Sequence, residues 1–258
     1  MQVVILCGGL GTRLREETEF RPKPMLEIGG RPILWHIMKT YSHYGFRDFV
    51  LCLGYRGQMI KEYFLNYEAM TNDFTICLGR QQRLTFHNAH DEQHFHVTLA
   101  DTGQDAMTGA RLRKASRYLN GDTFLLTYGD GVSDVNVAEL IEFHQSHGRL
   151  ATVTSVAPVS RFGILDLSGE GSVERFVEKP GTGTWANAGY FVFDRRVLQY
   201  LDPGDDCVLE RGPLERLASD GQLMAYKHRG FFYPMDTYRE YQHLNELWDA
   251  GAAPWKVW

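Results

Sequence analysis

A glycine-rich stretch opens the chain. Leu6-Cys7-Gly8-Gly9-Leu10-Gly11-Thr12-Arg13 directly follows the apolar run Gln2–Leu6. Glycines after a strand let backbone N–H groups approach phosphate oxygens without side-chain interference. Two familiar phosphate motifs do not fit. A dinucleotide fingerprint G-x-G-x-x-G matches Gly9 and Gly11 but meets Leu14 at its third glycine, and a P-loop Gly-Lys-Ser/Thr is absent. Two cations follow, Arg13 and Lys23, the latter within Arg21-Pro22-Lys23-Pro24-Met25, where two prolines keep the segment extended. Fixed cations beside an anion-binding turn suit a triphosphate whose leaving group gains charge as it departs. Asp130, in Gly129-Asp130-Gly131, ends the apolar run Thr123–Tyr128 and so shares a sheet rim with the glycine turn. Asp236, in Pro234-Met235-Asp236-Thr237, follows another apolar stretch. Two carboxylates converging on a triphosphate suit Mg²⁺, which takes one or two carboxylates plus phosphate oxygens and water. Taken alone, each aspartate also fits a turn or a helix cap.

The elements that must position these residues follow an alternating pattern. Gln2–Leu6, Asp48–Leu53, Thr123–Tyr128 and Ala151–Val156 read as buried strands. Between them lie helical patterns: Pro32 to Gly45 with Ile33, Leu34, Ile37, Met38 and Tyr41 at i, i+3, i+4 spacing, then Gln58–Tyr67, a helix capped by Thr108 with Leu112, Ala115 and Leu119 on one face, and Val135–His147. Strands separated by helices indicate βαβ units. The expected class is therefore α/β, a Rossmann-like, mostly parallel sheet flanked by helices. Antiparallel β-rich embellishments are expected as well: a hairpin of Gly163–Ser168 and Ser172–Lys179 around Gly169-Glu170-Gly171, strands at Ala186–Phe193 and Leu223–His228, and a β-rich, His-containing insertion at about 73–101. Thr237–Ala250 reads as a closing helix, and 1–258 as a single domain.

The 258 residues carry 27 Lys+Arg against 32 Asp+Glu, a net charge of −5, with 43% hydrophobic residues, so disorder is excluded and no basic surface for nucleic acid is indicated. No apolar run approaches the ~20 residues of a membrane span. The N-terminus passes from a short apolar run straight into glycines, unlike a secretory signal, and a cytoplasmic protein is expected. The four cysteines, Cys7, Cys52, Cys77 and Cys207, form no CxxC pair. Three sit in apolar runs, where reduced cysteine acts as a small buried hydrophobe.

The motifs GGLGTRL, RPKPMLEIGGRPIL, VTLADTG, MTGARL, TYGDGVSD, FGILDL, EKP, NAGYFVF and GFFYPMDTYRE, with PWK near the C-terminus, run in order along essentially the whole chain. Together they resemble the signature of the sugar-phosphate nucleotidyltransferases. The Glu16-Glu17-Thr18 spacer and the PKPM form look like the branch that transfers a cytidylyl group from CTP to glucose 1-phosphate. The resemblance implies the nucleotidyltransferase fold and Mg²⁺ held by Asp130 and Asp236. It implies backbone contacts from Leu6, Gly8, Gly9, Gly11 and Thr12 to the nucleotide, Arg13 on the leaving pyrophosphate and Lys23 on the reacting phosphate, with Gly129 alongside. It further implies that the segment Ala106–Arg111 contacts base and ribose, and that Gly163, Glu178, Lys179, Asn187 and Gly189 hold the sugar phosphate. Alanines at 106 and 110 stand where the branch usually has serine and glycine, so CTP is favoured without excluding UTP or dTTP. A homo-oligomer, with a hexamer among the candidates, is also implied. Another sugar 1-phosphate in place of glucose 1-phosphate is an alternative within the same chemistry, and a catalytically inactive nucleotide-binding regulatory subunit is the alternative of another class, against which the intact Arg13, Lys23, Asp130 and Asp236 argue.

Two further features need an explanation. His87, His90, His94 and His96 lack the HExxH order, since Glu92 falls one place late, and read as structural or interface histidines. The terminal Pro254-Trp255-Lys256-Val257-Trp258 is expected to be covered by the core or by a neighbouring copy, because exposed tryptophans are a costly patch.

Overall fold

Strand β1 (Val3–Leu6) is buried at every position, as a strand covered on both faces must be. The computed structural model describes residues 1–11, 14–79, 83–158, 164–169, 171–177 and 183–258. From β1 the chain passes α1 (Arg15–Thr18) and the paired β2 (Glu27–Ile28) and β3 (Arg31–Pro32) to α2 (Ile33–His43) and β4 (Asp48–Leu53). Helices α3 (Gly57–Leu65) and α4 (Tyr67–Thr71), a hairpin of β5 (Phe74–Cys77) and β6 (Arg83–Phe86), and strand β7 (His96–Asp101) follow. Next come α5 (Thr108–Ala115), β8 (Thr123–Tyr128), β9 (Gly131–Ser133), α6 (Val137–His147) and β10 (Ala151–Val156). A second hairpin, β11 (Ile164–Leu167) with β12 (Val173–Val177), precedes β13 (Ala186–Asp194). The chain then forms α7 (Pro213–Ser219), β14 (Leu223–His228), β15 (Phe232–Pro234) and α8 (Tyr238–Asp249).

Seven strands share one sheet in the order β14-β10-β13-β8-β1-β4-β7. β1 is parallel to β4 and to β8, β4 to β7 and β10 to β14, while β13 runs antiparallel to both of its neighbours. The sheet is mostly parallel, as expected. The chain moves from β1 outward through β4 to β7, then returns past β1 to β8. That reversal puts a crevice at the carboxyl ends of β1 and β8, where open α/β sheets bind ligands.

Alternation along β1 divides the core. Val3, Ile5 and Cys7 join the layer containing α2, α6 and α8, whereas Val4 and Leu6 join the layer under α5 and α7. Helix α2 buries Ile33, Leu34, Ile37, Met38 and Tyr41, the expected stripe, and each such side chain contributes about 1.5–3 kcal/mol on burial. The predicted helix Gln58–Tyr67 breaks at Asn66 into α3 and α4. Thr108 is the first residue of α5 rather than its cap, and its hydroxyl has other partners. The expected insertion at 73–101 divides in two: among the described residues β5 and β6 pair only with each other, but β7 is the edge strand of the main sheet.

The C-terminus is covered by its own chain. Trp255 is fully buried, stacked near Phe231 and Trp248, and its Nε1–H donates to His36 Nδ1 at 3.3 Å. Trp258 meets Trp35 edge-on. No second copy is needed to shield these rings. Cys7, Cys52 and Cys207 are buried, but Cys77 is exposed, because both faces of the β5–β6 hairpin lie open; the expectation of burial fails there. Burial pushes the Cys52 thiol up to about 12 and raises Cys7 as well. The histidines take separate partners: His87 meets Thr75, His90 bridges Glu68 and Glu92, and His96 faces Asp48.

Candidate active site

The crevice at the β1–β8 rim holds a cavity of about 510 Å³, within the range of small-molecule sites. Its walls are the glycine turn 6–11, Lys23-Pro24, the segment 104–108, Arg111, Tyr128-Gly129-Asp130 and Asp236. Residues placed far apart in sequence by the expectations thus line one space. Thr12, Arg13, Gly163, Glu178 and Lys179 lie outside the described residues.

Lys23 sits in a single 3₁₀ turn, Lys23–Met25, preceded by Pro22 in an extended conformation. Its Nζ donates to Asp130 Oδ2 and to Asp236 Oδ1, both at 2.7 Å. Burial alone would lower the lysine's affinity for its proton, but the two carboxylates outweigh it and hold the ammonium above its ordinary value. Asp130 follows β8 at the rim. Asp236 follows β15, which pairs with β9, so Met235 N donates to Asp130 O at 2.8 Å and the two aspartates are brought side by side. This is the fit that a divalent metal requires: two carboxylates already converge on one cation, with oxygen donors that hard cations prefer. With Lys23 alone the trio is anionic overall; a divalent ion added beside the retained ammonium would make it cationic, and attractive to phosphates.

Glu240 was not anticipated. Its Oε2 accepts from Asp236 N and Thr237 N, both at 2.8 Å, while Thr237 caps α8 in return. The backbone bearing Asp236 is thereby fixed by a buried carboxylate. The signal was legible, since Thr237-x-x-Glu240 before a helical stripe is a capping box.

The glycine turn is held from beneath. Gly8 O accepts from Tyr55 N at 3.2 Å and from Arg111 Nη2 at 2.9 Å. Arg111 is buried, and its guanidinium also donates to Leu53 O, Thr102 Oγ1, Gly103 O and Gln104 O. These bonds tie the turn 6–11 to the segment 102–104 across the cavity floor. A Cβ at Gly8 would lie 2.2 Å from the guanidinium and one at Gly54 2.4 Å, so both glycines make room for Arg111, while Gly9 faces open space. Ala106 lines the cavity, whereas Ala110 is packed in the core.

Tyr128 forms the wall beside Asp130. Burial first, and then the Glu210 carboxylate, raise its hydroxyl well above the usual range, so it is neutral and donates to Glu210 Oε1. Asn187 Nδ2 donates to the same hydroxyl at 3.3 Å, and Asn187 Oδ1 accepts from Gly189 N at 2.7 Å. Gly189 has φ +77° and backs directly onto the Tyr128 ring, which a Cβ would meet at 2.2 Å. The two described residues of the expected sugar side therefore stand behind Tyr128 and are not themselves in the cavity's lining.

The sequence model of the family described as nucleotidyl transferase matches residues 2–228. The chain is 49% identical to glucose-1-phosphate cytidylyltransferase of Salmonella typhi and 44% identical to the probable enzyme of that name from Bacillus subtilis (strain 168), in each case over the full length of both chains. Among solved structures, HddC from Yersinia pseudotuberculosis superposes with a TM-score of 0.68 at 23% identity, over 96% of this chain and 99% of that one, a likeness of fold. A mostly parallel sheet with its switch-point cavity, this match over most of the chain and these relatives agree: the chain belongs to the nucleotidyl transferase family.

Proposed function

We propose that this nucleotidyltransferase moves a cytidylyl group from CTP to glucose 1-phosphate, forming CDP-glucose and pyrophosphate. The observation that carries the reading is the convergence of Lys23, Asp130 and Asp236 at the mouth of the glycine turn, in a chain 49% identical end to end to an enzyme of that name. No side-chain nucleophile is required. A sugar phosphate brings its own nucleophilic oxygen, largely dianionic near neutrality because the second pKa of a phosphomonoester is about 6. Its attack on the α-phosphorus forms the new P–O bond as the bond to the β-phosphate oxygen breaks, and pyrophosphate leaves with that electron pair. The protein's work is then placement and charge neutralisation.

In this reading the backbone at Leu6–Gly11 and Gly129 cradles the nucleotide phosphates, Arg13 meets the leaving pyrophosphate and Lys23 the reacting phosphate. Asp130 and Asp236 would hold Mg²⁺, which when bound would supply neutralisation of phosphate charge. Ala106 and the backbone up to Arg111 border the base and ribose, the Arg111 side chain keeping the wall in place. Gly163, Glu178, Lys179, Asn187 and Gly189 surround the acceptor. The whole chain acts as one domain in the cytoplasm, where thiols such as Cys7 and Cys52 stay reduced.

A homo-oligomer belongs to the same reading. Hairpin β5–β6 pairs Phe74 with Phe86 and Ile76 with Leu84 on one face, each 38–51% exposed, an apolar surface that a second copy would cover. The catalytic part is tested by kcat/KM for CTP, UTP, dTTP, GTP and ATP with glucose 1-phosphate, with and without EDTA. Preference for CTP and loss of turnover in EDTA support it; equal use of UTP overturns the choice of base.

A further inference from the structure

Glu210 stands in the loop between the 3₁₀ turn Arg195–Tyr200 and α7, and no motif points to it. Its two carboxylate oxygens are both engaged. Oε1 accepts from the Tyr128 hydroxyl, and Oε2 accepts from Thr108 Oγ1 at 2.6 Å. Thr108 Oγ1 accepts in turn from Leu209 N at 2.9 Å, which fixes its orientation. The Tyr128 hydroxyl Oη accepts from Asn187 Nδ2 at 3.3 Å. An unbroken chain of hydrogen bonds therefore runs Thr108–Glu210–Tyr128–Asn187. Thr108 closes the segment 104–108 that lines the cavity, and Asn187, near the start of β13, stands behind Tyr128 in the stretch assigned above to the acceptor. Tyr128 stands between them, one residue from Gly129 and two from Asp130.

We propose that Glu210 is a positioning residue for the transfer reaction, setting the spacing between the nucleotide-side segment Ala106–Thr108 and the acceptor-side stretch Asn187–Gly189 of β13 through the Tyr128 ring. The inference rests on the reading of the site given above. Two aspects of the arrangement support it. The Glu210 carboxylate accepts a hydrogen bond from each hydroxyl, so neither hydroxyl can rotate away without leaving a carboxylate oxygen unpaired. Finally, the Tyr128 ring is confined on its other side by Gly189, so the bond to Glu210 fixes the ring at both ends. In-line transfer is sensitive to such spacing, because ångström-scale misplacement of reacting groups lowers turnover about a hundredfold.

Glu210→Gln retains size but must donate to one of its two partners, and Tyr128→Phe retains the ring but removes its hydroxyl. Each variant is to be assayed with CTP and glucose 1-phosphate beside the wild-type protein, with melting temperature measured in parallel. The expected result is a fall in kcat of tenfold or more in each, at saturating concentrations of both substrates, with a melting temperature within a few degrees of wild type. The double variant should be no more than about twofold worse than the poorer single one, since both changes cut the same chain. Should Glu210→Gln fail to fold, Tyr128→Phe and Thr108→Ala test the same chain from its two hydroxyls, and each should lose kcat. Single variants with kcat within twofold of wild type, or losses that multiply in the double variant, would overturn the proposal. Absence of CDP-glucose formation by the wild type would instead overturn the reading of the site.

Discussion

Replacing Lys23 by methionine should tighten the binding of a divalent ion to the nucleotide-free protein while removing turnover. Lys23 Nζ lies 2.7 Å from a carboxylate oxygen of both Asp130 and Asp236, so an incoming metal competes with the ammonium for the same charges. At an effective dielectric of about 20, each such contact amounts to at most about 6 kcal/mol of Coulomb energy. The carboxylates are 36% and 29% exposed, and solvent screening reduces pairs of this kind toward the ~1 kcal/mol of surface ion pairs. About 1–2 kcal/mol of competition is a reasonable balance for the two contacts together, which corresponds to about five- to thirtyfold in affinity. Titration of nucleotide-free protein with Mn²⁺, followed by its EPR signal, measures this directly. Lys23→Met should bind Mn²⁺ about five- to thirtyfold more tightly than wild type, and its kcat should fall at least a hundredfold for want of a cation on the reacting phosphate. Unchanged or weaker Mn²⁺ binding would show that the two aspartates do not form the cation site, whatever the variant's activity.

His36 is fully buried, and burial depresses its pKa to about 4, with Nε2 on Ile28 O. In the unfolded chain it takes up a proton near 6.5, so its contribution is present above that pH and lost as pH falls toward 4, about 3 kcal/mol in all. Urea unfolding at pH 7, 6, 5 and 4 should show this decline, and His36→Gln should flatten it; an unchanged slope would assign the loss elsewhere. Trp255→Ala empties a fully buried site and should cost about 3–5 kcal/mol, read from the denaturation midpoint, whereas a loss below 1 kcal/mol would mean that the C-terminal segment is not part of the core. Lysine in place of both Ile76 and Leu84 should leave the melting temperature within a few degrees and shift sedimentation to a smaller species; an identical sedimentation profile would rule out the β5–β6 face as a contact between copies.

The sheet was legible because its strands are short apolar runs bounded by glycine and helical stripes, and β1, β4, β8 and β10 begin within a residue of where the pattern puts them. The edge position of β7 was not, since a half-buried edge strand in a polar, His-rich stretch reads like the exposed hairpin before it. Within the site, Lys23 and Asp130 stood out because proline and strand ends mark them. Their meeting with Asp236 depends on the β9–β15 pairing, a long-range contact that no local pattern encodes. The Arg111 side chain shows the same limit. A basic residue beside a nucleotide segment suggests a ligand contact, but its bonds go to backbone carbonyls and one hydroxyl, partners without a sequence signature. Glu240 could have been found from its capping box; Glu210, an acid in an irregular loop, could not.

The central claim is tested most directly by identifying the product. The protein is to be incubated with CTP, glucose 1-phosphate and Mg²⁺, and the mixture separated and weighed by mass spectrometry. CDP-glucose and pyrophosphate should form in equal amounts, with Asp130→Asn yielding neither although it folds. Hydrolysis of CTP without a sugar nucleotide, or UDP-glucose formed from UTP at the same rate, would contradict that claim.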